Sequence, residues 1–91
     1  MGYNYLLKDE RLMMPVIFRY KNFQIRIWFR NEEGRRHVHA VSADANIKIW
    51  LEPVIELADI KGHVNKTVLN ELLTEVKRHE QECNDIWDDY I

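Results

Sequence analysis

Ninety-one residues, 46% of them hydrophobic, suit one compact domain with a single modest core, and a net charge of -2 argues against a strongly basic chain that coats duplex nucleic acid without regard to sequence. No apolar run approaches the roughly 20 residues that span a bilayer, which predicts no membrane partner. The lone Cys83 cannot close an internal disulfide and no export-like leader precedes the strands, so the expected compartment is the cytoplasm.

Residues 1–13 mix charged and apolar side chains in no steady period and read as an N-terminal extension, leaving 14–91 as a single domain. Pro15 cannot donate to a ladder, which suits the first residue of an edge strand and places Val16–Tyr20 at or near a sheet edge. Lys21-Asn22 reads as a two-residue turn. With that turn Tyr20 faces Phe23, Phe18 faces Ile25 and Val16 faces Ile27, giving an apolar face that continues to Phe29. Arg19, Gln24, Arg26, Trp28 and Arg30 then point the other way, and a one-residue slip would drive the arginines inward.

After a polar loop over 31–34, a third strand turns Val38 and Ala40 inward and His37 and His39 outward. Asp44 and Asn46 supply turn chemistry before a fourth strand, which alternates Ile47, Ile49 and Leu51 against Lys48 and Trp50. Pro53 ends that strand. Residues 54–60 read as a short fifth strand or a helical turn, with the strand preferred, and Gly62 closes them. Asn65 is a good N-cap for a helix with apolar residues at Leu69, Leu72, Val76, Cys83, Ile86 and Tyr90, spaced by threes and fours with one step of seven that leaves His79 in the stripe. Val68, Leu73 and Trp87 widen the stripe, as expected of a helix that covers a sheet. The expected fold is therefore α+β: an antiparallel, mainly four-stranded sheet with one long C-terminal helix packed on its apolar face.

Charge is unevenly distributed. Between residues 19 and 36 six cations oppose only Glu32 and Glu33, whereas Glu80 to Ile91 holds five acids and no lysine or arginine. These blocks attract partners of opposite sign or each other. Asp85, Asp88 and Asp89 fall where the helix macrodipole is already negative, which calls for a basic neighbour.

The outward face would gather Arg19, Arg26, Trp28, Arg30, Lys48 and Trp50 with the two histidines, a set rich in the residues that bind nucleic acids and proteins. His37 and His39, two apart on a strand, project together and have the chemistry to share acid and base roles. Two ligands do not make a zinc site, so no metal and no cofactor is expected.

In combination, Met14-Pro15-Val16-Ile17-Phe18-Arg19-Tyr20, Ile25-Arg26-Ile27-Trp28-Phe29, His37-Val38-His39-Ala40, Ile47-Lys48-Ile49-Trp50-Leu51-Glu52-Pro53 and a final helix ending in Trp87 and Tyr90 resemble a bacterial family catalogued as domain of unknown function 4160. The likeness covers roughly residues 14 to 91. It implies a small cytosolic protein, often encoded beside another small protein in a suspected toxin–antitoxin pair, and it brings no established activity. The family's customary start is the equivalent of Met14. Its members usually carry two prolines and a further histidine just before the equivalent of His37, where this chain has Glu33-Gly34-Arg35-Arg36.

The expected function is that of a toxin–antitoxin-like component contacting a cognate small protein or single-stranded RNA through the outer sheet face, with a homodimer among the expected assemblies. The alternative is a metal-independent ribonuclease in which His37 and His39 move protons while Arg26 and Lys48 hold phosphate.

Overall fold

In the computed structural model, residues 15–28 and 34–90 are described; the extension expected over 1–13, Phe29 and Arg30 lie outside them. Five antiparallel strands run β1 (Val16–Tyr20), β2 (Phe23–Arg26), β3 (His37–Val41), β4 (Ala45–Trp50) and β5 (Glu56–Gly62), each hydrogen-bonded to the next in chain order. Two helices follow, α1 (Lys66–Arg78) and α2 (Glu80–Tyr90). The α+β class holds; the sheet expected to be mainly four-stranded has five full strands, the short strand preferred over 54–60 lying at Glu56–Gly62, and the single long helix is two.

The two-residue loop sets Tyr20 opposite Phe23 and Phe18 opposite Ile25. Farther along, the register shifts between Val16 and Phe18, so Val16 lies opposite Arg26 and not Ile27. This irregularity lets Ile17 join the core, where strict alternation would have turned it outward. Ile25, Ile27, Val38, Ala40, Ile47 and Ile49 are fully buried beneath Leu72, Val76 and Cys83 of the helices. The step from β3 to β4 is closed by a residue the turn pattern did not single out. The Ser42 hydroxyl accepts from the backbone N–H of Asp44 and of Ala45, both at 3.2 Å, while Asn46 belongs to β4.

Asn65 caps α1, its side-chain oxygen accepting from the Val68 N–H at 2.8 Å. The helix stops at His79 because that residue competes for its own helix's carbonyls. Its ring Nδ1 donates to the Glu75 oxygen at 2.9 Å while its backbone N–H reaches both Glu75 and Val76. The imidazole stacks on Phe18 of β1, centroids 3.8 Å apart and 9° from parallel. The path then resumes, with the Cys83 N–H donating to the His79 carbonyl at 2.9 Å, so Cys83 and Trp87 keep the core stripe.

Arg36, just before β3, is the basic neighbour that the acidic helix end requires. It donates to Asn84 at 2.8 Å and to Asp88, and its backbone N–H donates to Glu52. Part of the basic block and part of the acidic block thus neutralise each other.

At the other end of the sheet, the Tyr20 hydroxyl and the Lys21 ammonium both reach Oε1 of Glu71 at 3.0 Å, tying the first hairpin to α1. The hydrogen bond from Lys21, and then that from Tyr20, holds the Glu71 carboxyl below its ordinary value, while the same carboxylate raises Tyr20 and Lys21 above theirs. A depressed carboxylate contributes stability that is present above the ordinary value of 4.5 and is lost as pH falls through the folded value. The raised Tyr20 and Lys21 contribute below 10.0 and 10.5 and lose that contribution as pH rises through their folded values. Urea midpoints should therefore separate wild type from Glu71→Gln near neutral pH and converge in acid, as pH falls below 4.5 and through the depressed folded value. A gap that stays constant into acid would remove this latch from the account.

Candidate binding groove on the outer sheet face

Strand pairing arranges the outer face in rows. His37, Trp50 and Glu56 form one, Arg26, His39, Lys48 and Asp59 the next, and Gln24, Val41, Asn46 and Lys61 the third. A hollow of ≈ 480 Å³ opens over these rows, lined by Trp28, His39, Asn46, Lys48, Trp50, Ala58, Asp59 and Lys61. Ala58 reaches it through a bulge: Lys48 pairs with Asp59 and Ile49 with Leu57, leaving Ala58 as the extra residue on β5. The bulge brings a small side chain into the lining.

Of the residues expected on this face, Trp28, His39, Lys48 and Trp50 line the hollow. Arg19 is exposed on β1 and paired with Gln24, away from it. Arg26 lies beside His39 but is held by Gln24, whose amide oxygen accepts from its Nε at 3.0 Å and its Nη2 at 2.7 Å. Arg30 lies outside the described residues. Asn46, Ala58, Asp59 and Lys61 were not singled out, because their place depends on the pairing of β4 with β5 and on the bulge.

The rings form a connected cluster. Trp28 stacks on His39 with centroids 4.3 Å apart, and His39 meets His37 edge to face at 5.3 Å. His37 in turn meets Trp50 at 5.7 Å and Trp87 of α2 at 5.6 Å. Trp50 is gripped by cations, with the Arg35 guanidinium 4.0 Å and the Lys48 ammonium 4.6 Å from its ring centre. Arg35 is steered there by the Glu52 carbonyl at 2.8 Å and the Glu56 carboxylate at 3.4 Å.

The two histidines therefore occupy different surroundings. His37 is 3% exposed and does not line the hollow, and its Nδ1–H donates to the Arg35 carbonyl at 2.7 Å. His39 does line it, with Nδ1 directed at the Asn46 side-chain oxygen at 2.9 Å. Acid–base cleavage by this pair would require both rings to reach one substrate, and only His39 is presented to the groove. Among the described residues, no group of three or more histidine, cysteine or acidic side chains is placed to hold a metal ion, and no helix is long and apolar enough to cross a membrane.

The Trp28 indole N–H is buried without an acceptor among the described residues.

A family model described as Domain of unknown function (DUF4160) matches residues 22–88. No curated protein and no solved structure matches the chain.

Proposed function

The chain belongs to the DUF4160 family, whose description carries no activity, and from the groove itself we propose a binding protein, one half of a toxin–antitoxin-like pair, that receives a protein partner on its outer sheet face. One observation carries this reading: the groove is walled by tryptophans already fixed in place and edged by charges of both signs, Lys48 and Lys61 against Asp59. Rigid aromatic anchors within a mixed polar rim suit a folded or extended protein segment. A volume near 480 Å³ accommodates one or two of its side chains.

Single-stranded RNA is the weaker occupant. Base stacking needs open ring faces and phosphates need uncommitted cations. Here His39 covers part of Trp28, cations lie over Trp50, and Arg35 and Arg36 are engaged by acids of the same chain. The ribonuclease reading is weaker still, since it relies on the enclosed His37.

The test is titration calorimetry of the full chain with whatever small protein is encoded next to it, beside fluorescence anisotropy with a single-stranded uridine oligomer. The expected outcome is a saturable protein complex weakened about tenfold or more by Ala58→Trp, which fills the groove, and no saturable RNA binding. Failure to form that complex, indifference to Ala58→Trp, or RNA binding abolished by Trp28→Ala would each overturn the proposal.

A further inference from the structure

The open edge of β5 carries a charge pattern that matches itself. Among the described residues no strand pairs with this edge, since β5 ends the sheet order. On the outer face Asp59 lies opposite Lys48 and Lys61 opposite Asn46; Ile60, between them, lies opposite Ile47 on the helix-covered face. Asp59 and Lys61 form no ion pair among the described residues, although Lys48 stands across from Asp59 in the strand pairing. An acid and a base two residues apart are thus left unmatched on an exposed edge strand.

We propose that two copies of the chain pair their β5 edges antiparallel about a two-fold axis through Ile60, joining two five-stranded sheets into one. A two-fold normal to a sheet keeps each face on its own side, so residues opposite each other must share a face. Centred on Ile60, Asp59 of each copy faces Lys61 of the other, and the two Ile60 side chains meet on the helix side. Centred one residue earlier, Asp59 would face Asp59; centred one residue later, Lys61 would face Lys61. Like charges directly opposite are destabilising, so the pattern selects one register of the three.

The seam is short. The bulge at Ala58 bounds it on one side and Gly62, with φ +95°, on the other, so the dimer is expected to be weak and concentration-dependent. Among the described residues the opposite edge of the sheet offers no such complement, as its outer strand begins after Pro15 and its aromatic side chains are committed to Glu71 and His79. The two grooves would lie beside each other on one continuous outer face, but this inference does not depend on what occupies them.

Sedimentation equilibrium of the full chain across a concentration series tests the seam directly. Wild type should shift from 11.0 kDa toward twice that mass. Lys61→Asp should weaken association about tenfold or more, and adding Asp59→Lys to it should restore the wild-type constant to within about threefold, because the pairs re-form with signs exchanged. Circular dichroism establishes that these surface variants remain folded. As an independent readout, Ile60→Cys should yield a disulfide-linked dimer on mild oxidation, since directly opposed antiparallel residues lie about 4.5–5.5 Å apart at Cα, within disulfide range. The native Cys83 does not interfere, being fully buried with its thiol pushed up to about 12 by desolvation. A monomer at every concentration, a dimer indifferent to the charge exchange, or a folded Ile60→Cys chain that does not cross-link would overturn the proposal.

Discussion

Gly62→Ala should destabilise this protein by about 3 kcal/mol or more, a large part of the total for a domain of this size. Two effects act together. The residue has φ +95°, a region that side-chain-bearing residues rarely adopt, and an added Cβ would stand 2.1 Å from the Asp44 carbonyl oxygen and 2.9 Å from the Ala45 Cα. These are backbone atoms of the turn entering β4, and the same carbonyl accepts the His63 N–H at 3.0 Å, so it cannot give way without loss. Gly34→Ala is the matching control. That glycine also has positive φ, at +72°, but an added Cβ there meets nothing within 4 Å among the described residues, so only the backbone cost of about 1–2 kcal/mol should appear. Urea denaturation of both variants measures the difference. Equal losses would mean that the approach of Asp44 to Gly62 contributes nothing.

Trp87→Ala should cost about 3–5 kcal/mol, the usual range for truncating a buried aromatic residue, whereas Trp87→Phe should cost less than half as much. The indole is 6% exposed and belongs to the same core as Cys83 and Leu51. It also meets the imidazole of His37, beyond the last β2–β3 pair at Arg26 and His39. Removing it therefore opens a cavity and strips one wall from the ring cluster behind the groove. A double-mutant cycle with His37→Ala should give a coupling of about 0.5–1.5 kcal/mol, the range for aromatic pairs. Additive losses would show that the two rings are neighbours without mutual dependence.

Much of the fold was readable because period-two alternation is a local property. Phe18 with Ile25, Tyr20 with Phe23, and the inward Val38, Ala40, Ile47 and Ile49 all follow from side chains that must take one face or the other. The N-cap at Asn65 was equally readable, since it needs only one side chain and the next turn of backbone. Register irregularities were not. The shift at Val16–Phe18 and the bulge at Ala58 each break the alternation by one residue, and nothing in the residue types announces an extra residue in a ladder. The helix break at His79 escaped for a related reason, as the apolar stripe passes through it intact while the break comes from the imidazole taking a carbonyl and lying flat on Phe18.

The outer face divides along the same line. Alternation alone was enough to place Trp28, His39, Lys48 and Trp50 on it, because each alternates with unmistakably apolar inward neighbours, His39, Lys48 and Trp50 within β3 and β4 and Trp28 two residues beyond the end of β2. Tertiary structure decided that His37 is enclosed while His39 is presented, because the enclosing ring of Trp87 arrives from a helix some fifty residues farther along the chain. It also decided that Asp59 and Lys61 complete the groove, which depends on a fifth strand, a bulge and a pairing partner. Side-chain parity can be read from a strand by itself, whereas burial and neighbourhood belong to whatever the rest of the chain brings against it.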